Sequence, residues 1–257
     1  MDNLNRNTTA VSLTSNGVKK KIAIIQARMG SSRMPGKTLM EISGKPTLWH
    51  LLENIRYSEQ ITDIILATTE NKGDDVLFEF AEMYPIKCFR GSEHNVLERF
   101  YEAARSIGAT DSDIIIRITA DDIFMDPYII DALVTFFDST YPYYKLMSNS
   151  FKPGFPYGFY FELFDFASLQ DAHQSATTEF QKEHVTPYIR EHEEKFPAIA
   201  IESKGVDFSD VYLSIDTPED FERNRRIIEY LESEHKTHPF RFNDVVSAYR
   251  QVEKKSV

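Results

Sequence analysis

The sequence predicts an α/β fold with a mostly parallel central sheet, and three observations support this prediction. Short apolar runs typical of buried strands alternate with amphipathic helical segments through the first half of the chain. The strongest of these runs is DIIIRI at residues 113–118. Polar loops follow several of the strands at their carboxyl ends, where parallel sheets bind ligands. This strand–helix–strand order is typical of parallel pairing.

Apolar runs and helical periodicity give the positions of the individual elements. Strands are predicted at residues 21–26, 63–68, 86–89 and 113–118, and helices at residues 49–56, 74–83, 95–107 and 128–137. After residue 139 the pattern changes to a segment rich in aromatic side chains, proline and glycine. A polar helix is then predicted at residues 179–194, and strands at residues 198–202 and 211–215. Thr217 followed by Pro218 is typical of a helix start, and this helix is expected to reach about residue 231.

The length of 257 residues suits one domain, which is predicted at residues 20–250. Residues 1–19 are polar and are expected to form a flexible extension, and residues 251–257 are expected to form a polar tail. The single cysteine, Cys88, excludes an intrachain disulfide and permits a reducing compartment. No apolar run has the length of a membrane span and no secretory pattern is present, so a cytoplasmic protein without a membrane partner is expected.

The net charge of −11 argues against a nucleic-acid partner, because binding to a duplex depends on many lysine and arginine contacts to phosphate. An anionic substrate would need a local cluster of cations. The segment ARMGSSRMPGK at residues 27–37 follows the first predicted strand and provides such a cluster with Arg28, Arg33 and Lys37. Its glycines allow the backbone to approach a ligand, and its serines add hydroxyl donors. The loop is therefore predicted to bind phosphate groups.

Two familiar phosphate motifs do not match this loop. A Walker A loop has four residues between its glycines, whereas Gly30 and Gly36 enclose five, and Pro35 removes an amide donor. The dinucleotide fingerprint with three glycines is absent. An ordinary solvated basic loop is the remaining alternative.

This loop and further motifs in the same order resemble the cytidylyltransferases that activate acidic sugars. The segment is most similar to the spore-coat polysaccharide biosynthesis proteins and more distantly to 3-deoxy-manno-octulosonate cytidylyltransferase. The other matching segments are ISGKP at 42–46, ATT at 67–69 with DD at 74–75, FRGS at 89–92 with NVLER at 95–99, RITAD at 117–121, EHVTPYI at 183–189 and IDTPED at 215–220. The resemblance extends over roughly residues 20–232. It implies a Rossmann-like nucleotidyltransferase fold of the glycosyltransferase-A type, a three-layer sandwich with a small dimerisation and acceptor arm at about residues 140–195, and a homodimer.

The resemblance also assigns residues to a nucleotide site and to catalysis. Arg28, Lys37 and Asp121 are expected to be catalytic. The residues expected to bind the nucleotide are Ala27, Arg28, Met29, Gly30, Ser31, Ser32, Arg33, Lys37, Thr68, Thr69, Arg90, Gly91, Ser92 and Thr119. Of these, Thr68, Thr69, Arg90, Gly91 and Ser92 are expected near the base.

Asp121 and Asp216 are the predicted metal ligands. Each follows a predicted strand, so both carboxylates are expected at the same edge of the sheet. Oxygen ligands of this kind suit Mg²⁺, which completes its shell with substrate phosphates and water. Either aspartate could instead serve only at a helix start, and Asp122 and Glu162 are weaker candidates for the metal.

The acceptor segment departs from the family pattern. The family tends to read Pro-Asp-Gly-x-Asp-x-Glu, whereas this chain has PYGFYFE at residues 156–162, with two tyrosines in place of acids. The turn after Asp121, usually Cys-Pro-Leu, is Asp-Ile-Phe here. The acceptor is expected to contact Tyr157, Tyr160, Glu162 and His184. A pocket that also includes Phe161 would favour a different or more apolar acceptor, and a repacked dimer contact is the alternative.

The predicted reaction is transfer of CMP from CTP, with Mg²⁺, to an acidic 3-deoxy ulosonic or nonulosonic sugar for surface polysaccharide synthesis, with release of pyrophosphate. One alternative is a glycosyltransferase that uses a nucleotide-sugar donor, although such enzymes usually carry Asp-x-Asp and this chain has Asp121 and Asp122 in sequence. The other alternative is a catalytically degenerate subunit that only binds a nucleotide.

Overall fold

A computed structural model describes residues 19–203 and 205–254, so residues 1–18 of the predicted extension and residues 255–257 of the predicted tail lie outside it. The strands of the described part are β1 Lys21–Gln26, β2 Glu41–Ile42, β3 Lys45–Pro46, β4 Asp63–Thr69, β5 Lys87–Gly91, β6 Ile114–Thr119, β7 Leu146–Ser148, β8 Glu162–Asp165 and β9 Ala198–Ala200. The helices are α1 Thr47–Ile55, α2 Asp75–Met83, α3 Val96–Ser106, α4 Pro127–Thr140, α5 Phe166–Ser175, α6 Glu179–His184, α7 Pro187–Glu191, α8 Pro218–Ser233 and α9 Phe242–Lys254, with short 3-10 helices at Lys37–Leu39 and Lys72–Asp74.

Within these residues, seven strands form one sheet in the order β5-β4-β1-β6-β8-β7-β9. The pairs of β1 with β4 and β6, of β4 with β5 and of β7 with β9 are parallel, and β8 pairs antiparallel with β6 and β7. The register places Gln26 opposite Ala67 on one side and Thr119 on the other. The carboxyl ends of β1, β4 and β6 are therefore level, and the loops that leave them meet at one edge.

Helices cover both faces of the sheet and give a three-layer sandwich. Ala23 and Ile25 of β1 point into a core formed with α1, α2, α4, α8 and α9. Ile22 and Ile24 point the other way, into a core formed with α3, α5 and α7. Burial on both faces explains why β1, β4 and β6 appear as nearly continuous apolar runs. The predicted α/β class with a mostly parallel sheet is confirmed.

The structure differs from the sequence prediction in the second half of the chain. Residues 211–215 are not a strand, because they form only one isolated bridge, between Tyr157 and Tyr212. The polar helix predicted at 179–194 is divided in two, since Val185 has a φ of 70° and Pro187 begins α7. Much of the predicted arm at 140–195 belongs to the body of the domain: β7 and β8 pair within the central sheet, and α5 packs against α3.

The predicted polar tail is helical as far as the structure describes it. α9 continues to Lys254, and Val252 is buried in the core. Its apolar side chains at Val245, Val246, Tyr249 and Val252 recur at helical spacing, a signal that the sequence prediction left unused. None of the helices in residues 19–203 and 205–254 combines the length and apolarity needed to cross a bilayer.

Two histidines join the β2–β3 hairpin and α1 to the segment before α9. His50 Nε2 lies 3.0 Å from the Ile42 carbonyl oxygen, which can only accept, so Nε2 carries the proton. His50 Nδ1 then faces His238 Nε2 at 3.3 Å. Burial lowers the pKa of His50, and burial followed by the charge of His50 lowers the pKa of His238 to about 4. Both rings are therefore packed in the neutral form.

Acid is expected to loosen this contact. The usual pKa of histidine is 6.5 and that of folded His238 is about 4, so between these pH values the unfolded chain binds more protons. The contribution of neutral His238 to the free energy of unfolding is fully present above pH 6.5 and is lost as the pH falls towards 4. The melting temperature of His238→Gln should fall less than that of the wild type between about pH 7.5 and about pH 5. If the melting temperatures of the two proteins fall by the same amount over this pH range, the assignment of a neutral, buried His238 is contradicted.

Gly158 marks a close approach between two segments near the edge where the loops meet. Its φ is +86°, and an added Cβ would overlap the Leu213–Ser214 peptide, at 2.7 Å from the Leu213 carbonyl carbon. Gly158→Ala should therefore lower the free energy of unfolding by about 2–4 kcal/mol in urea titrations, from backbone strain and overpacking together. Gly44→Ala in the β2–β3 turn is the matched control, since its φ is +71° but no atom lies within 4 Å of the added Cβ. An equal loss for both variants would show that the contact with residues 213–214 is unimportant.

Candidate functional site

A cavity of about 770 Å³ opens at the carboxyl ends of β1 and β6. Its walls come from the loop after β1, the first turns of α3, the residues that follow β6, and the segments around residues 157–162, 179–190 and 214–216. It therefore lies where the level strand ends expose their loops.

Lys37 lies at the centre of the charged groups in this cavity. Gly36, with a φ of 78°, turns the loop into the 3-10 helix that begins at Lys37. Lys37 Nζ donates hydrogen bonds to Asp121 Oδ2 at 2.8 Å, to Asp216 Oδ1 at 3.2 Å and to the Ile215 carbonyl oxygen at 2.5 Å. The structure thus brings together the lysine and both aspartates that the sequence indicates.

Both oxygens of Asp216 have partners. Oδ1 accepts from Arg33 at 2.8 Å as well as from Lys37, and Oδ2 accepts from the Tyr212 hydroxyl at 2.8 Å. Burial and then the hydrogen bond to Asp216 raise the pKa of Tyr212, so its hydroxyl remains a donor. Asp216 is therefore held in a fixed orientation towards the cavity.

Asp122 lines the same cavity, beside Asp121, but is itself buried. It accepts from the Thr119 hydroxyl at 2.5 Å. Burial, followed by the charge of Asp121, raises the pKa of Asp122. Thr119, expected to bind the nucleotide, lines the cavity but uses its hydroxyl for Asp122.

Asp121 and Asp216 fit a magnesium site that is completed by a substrate. Both carboxylates reach one ammonium group, so both can reach one cation, and carboxylate oxygens are preferred by Mg²⁺. Across the described residues, no group of three or more His, Cys, Asp or Glu side chains is arranged to hold a metal. Two carboxylates without a complete protein cage are typical of Mg²⁺ that also binds phosphates.

Other residues of the phosphate loop divide into two groups. Ala27, Arg28, Ser31, Ser32 and Arg33 line the cavity. Met29 and Gly30 are not part of the cavity lining, and the backbone of Met29 holds the loop. The Met29 amide donates to Asp74 Oδ1 at 2.6 Å, and the Met29 carbonyl accepts from the Gly36 amide at 2.9 Å. Arg28 is half-exposed and lies 3.4 Å from Glu93, so its guanidinium is available to a ligand.

The structure does not bring the residues expected near the base into the cavity. Thr68 and Thr69 are fully buried, and the Thr69 hydroxyl donates to Asp74. The Arg90 guanidinium binds Asp75 at 2.7 Å and two backbone carbonyls. Gly91 lies at the end of β5, and Ser92 accepts from the Asn95 amide at 3.0 Å. Their positions at strand ends predicted the edge of the sheet at which these residues lie. They did not predict whether the side chains point into the cavity.

The cavity is lined by Gln26, Val96, Arg99 and Arg117, none of which was predicted as a site residue, although the matching segments at 95–99 and 117–121 contain three of them. Arg99 is only 3% exposed although it carries a charge. The available signal was its spacing, because Arg99 falls on the apolar face of α3 between Val96 and Phe100. A charged side chain on a buried helix face suggests a role beyond solubility.

The four residues expected to contact the acceptor all line the cavity. Tyr157 stacks on Tyr212 with ring centroids 4.5 Å apart, and burial raises the pKa of Tyr157. Glu162 is held by Arg117 at 2.7 Å and by the Thr186 hydroxyl at 2.8 Å, so it positions its neighbours. Tyr160 and His184 complete the wall.

Phe161 does not belong to this pocket, contrary to expectation. It is 1% exposed and packs into the core beside Phe159. The Asn149 side chain donates a hydrogen bond to the Phe159 carbonyl and accepts one from the Phe161 amide, each at 2.7 Å. These bonds fix the segment so that Phe159 and Phe161 both point into the core.

Removing the central ammonium should destabilise the protein without any ligand. Lys37→Met would leave two carboxylates adjacent and the Ile215 carbonyl without this donor, which is expected to cost about 2 kcal/mol in urea unfolding. Arg33→Met is the matched control, since its side chain is 63% exposed, and it should cost less than about 1 kcal/mol. The interpretation fails if Lys37→Met is as stable as the wild type.

The cytidylyltransferase family model matches residues 22–255. The spore coat polysaccharide biosynthesis protein SpsF of Bacillus subtilis is 34% identical over 206 residues, covering 77% of this chain and 82% of that protein. The 3-deoxy-manno-octulosonate cytidylyltransferase of Nitratidesulfovibrio vulgaris is 34% identical over 113 residues, 43% of each chain.

A solved cytidylyltransferase from Leptospira borgpetersenii has a similar structure, with a TM-score of 0.80 and 29% identity over 92% of this chain and 95% of that chain. This likeness confirms the predicted fold, and the sequence matches confirm the resemblance found in the motifs. The chain therefore belongs to the cytidylyltransferase family of nucleotidyltransferases.

Proposed function

We propose that this enzyme transfers CMP from CTP to an acidic 3-deoxy ulosonic or nonulosonic sugar and releases pyrophosphate. The observation that carries the proposal is the contact of Lys37 with both Asp121 and Asp216 at the edge of the cavity. Arg28 and Arg33 add two more cations beside it. In a chain with a net charge of −11, this is a local site suited to a triphosphate.

The residues of the chain would act mainly by positioning. Lys37, Arg28 and Arg33 would bind the phosphates, and Arg33 would exchange its bond to Asp216 for one to the substrate. Asp121 and Asp216 would hold Mg²⁺, which supplies neutralisation of phosphate charge when bound. An acceptor hydroxyl oxygen would attack the α-phosphorus and release its proton to solvent. The bond from the α-phosphorus to the oxygen bridging to the β-phosphate would break, and pyrophosphate would leave. Positioning and charge neutralisation account for most of the catalysis in such transfers.

The wall opposite the phosphate loop supports an acidic sugar as acceptor. Tyr157 and Tyr160 offer aromatic surfaces, as expected for contact with a sugar ring. Arg190 lines the same wall, is exposed, and rests on the Phe151 ring at 4.9 Å. Its guanidinium fork matches the geometry of a carboxylate. The names of the two relatives, a coat polysaccharide protein and an octulosonate cytidylyltransferase, agree with this class of acceptor.

The two alternatives from the sequence have weaker support. A glycosyltransferase would need a second acid beside Asp121 for its metal, but Asp122 is buried and bonded to Thr119. A degenerate subunit would be expected to lose the charged contacts around Lys37, which are intact. The homodimer and the cytoplasmic location stay predictions.

Pyrophosphate release is the direct test of the proposed reaction. Each of the four ribonucleoside triphosphates is incubated with Mg²⁺ and a panel of ulosonic and nonulosonic acids. We expect release with CTP and an acidic sugar, dependence on Mg²⁺, and a loss of at least about 100-fold in Asp121→Asn and Asp216→Asn.

Asp138→Asn is the matched control for these variants, because Asp138 pairs with Lys19 and Lys21 away from the cavity. Its activity should equal that of the wild type. Turnover with a nucleotide sugar and no triphosphate would contradict the proposal, as would full activity of both cavity variants.

A further inference from the structure

We propose that a strained turn at Val185 positions the acceptor wall of the cavity and thereby sets the affinity of the enzyme for its acceptor. This inference rests on the proposed function, because the acceptor is the ligand that this wall is expected to contact. It is carried by the backbone conformation of the turn, by the residues that the turn brings to the cavity, and by the contacts that hold it.

Val185 has a backbone conformation that β-branched residues rarely adopt. Its φ is 70° and its ψ is −58°, and the Thr186 amide donates to the His184 carbonyl oxygen at 2.8 Å. These values define the γ-turn with a positive φ, which is rare and strained. Thr186 then has a φ of −92° and a ψ of −11°, although Pro187 disfavours the helical region for the residue before it. Strain of this kind persists only where the surrounding structure enforces it, and it concentrates at functional sites.

The turn brings to the cavity two residues that a continuous helix would separate. Residues two positions apart in an α-helix do not face the same way, so His184 and Thr186 would diverge in the single helix predicted over residues 179–194. In the structure both residues line the cavity. The strain therefore has a consequence for the site, because it places His184 and Thr186 on one wall.

Three contacts hold this turn against relaxation. The Val185 side chain is fully buried in the core beside α3 and α5. The Gln181 amide in α6 donates to the Glu191 carboxylate in α7 at 2.6 Å, which joins the two short helices on either side of the turn. The Thr186 hydroxyl donates to Glu162 Oε1 at 2.8 Å. The turn is thus fixed from the core, from its flanking helices and from the central sheet.

Thr186 connects the turn to the charged part of the acceptor wall. It is 2% exposed and its hydroxyl is bonded to Glu162, so it acts through this carboxylate. The other oxygen of Glu162 accepts from Arg117 at 2.7 Å, and Arg117 lines the cavity. A shift of the turn would move His184 directly and Arg117 through Glu162. None of the contacts described above for the phosphate loop involves residues 184–186, so binding of the triphosphate is expected to be independent of the turn.

The link from the turn to Glu162 is tested by two substitutions of one residue. Thr186→Val removes the hydroxyl that donates to Glu162, whereas Thr186→Ser retains it. Initial rates are measured with CTP and an acidic sugar that the wild type uses. We expect Thr186→Val to raise the KM for the acceptor about 10-fold and to leave the KM for CTP within about 2-fold of the wild type. Thr186→Ser should restore the KM for the acceptor.

The strain is tested by two glycine variants. Val185→Gly and Val211→Gly each remove a buried valine, 0% and 1% exposed, but only Val185 has a positive φ. Glycine adopts a positive φ without a steric penalty, so Val185→Gly should lower the melting temperature less than Val211→Gly does. Val185→Gly should also raise the KM for the acceptor, because glycine leaves the turn free to take other conformations. An equal fall in melting temperature for both variants would overturn the inference.

Hydrogen exchange gives a measurement that needs no substrate. Amides in residues 179–191 should exchange faster in Thr186→Val than in the wild type, and at the wild-type rate in Thr186→Ser. Equal exchange in all three proteins would overturn the inference. An equal rise in both KM values in Thr186→Val, or a KM for the acceptor that Thr186→Ser does not restore, would do the same.

The outcomes also distinguish this inference from the proposed reaction. Release of pyrophosphate from CTP with an acidic sugar, together with an unchanged KM for the acceptor in Thr186→Val, would refute the role of the turn alone. If no acidic sugar accepts CMP, the proposed reaction is refuted. The melting temperatures and the exchange rates then decide whether the turn is strained and held through Thr186.

Discussion

The contact of Lys37 with Asp121, Asp216 and the Ile215 carbonyl is the interaction on which the site depends. It joins parts of the chain that are separated by 84 and 179 residues. Two carboxylates at one strand edge would repel each other, and the ammonium group offsets this repulsion while no substrate is bound. Binding of a triphosphate with Mg²⁺ would exchange these partners: phosphate oxygens would take the cations, and the metal would take the carboxylates.

Residues of the site lie on both faces of the sheet. The loop after β1 crosses the sheet edge and carries its cations to the carboxylates that follow β6 and precede α8. Gln26, one residue before that loop, remains on the face covered by α3. The level register of β1 and β6 keeps these two parts of the edge adjacent.

The sequence predicted the parts of the molecule whose burial pattern is distinctive. β1, β4 and β6 are covered on both faces, so their apolar runs were clear. The apolar run at 211–215 also predicted a strand, but in the structure it forms only an isolated bridge with Tyr157. An apolar run indicates that a segment is buried and does not show whether its backbone pairs with another strand. β7 and β8 were missed since they are short and lie in an aromatic segment. Lys37 and Asp121 could be found from motifs, whereas Gln26 and Arg99 required knowledge of which side chains face the cavity.

The charge of the surroundings explains why uncharged tyrosines suit the acceptor segment. Tyr157 lies beside a group of carboxylates that includes Asp121, Asp122 and Asp216, whose charges add to burial in raising its pKa. An aspartate there would add another negative charge beside these carboxylates. Tyr157 is neutral, and it stacks on Tyr212, which donates its hydroxyl hydrogen to Asp216. Tyr157 therefore avoids further repulsion at this group of carboxylates and packs against the tyrosine that orients Asp216.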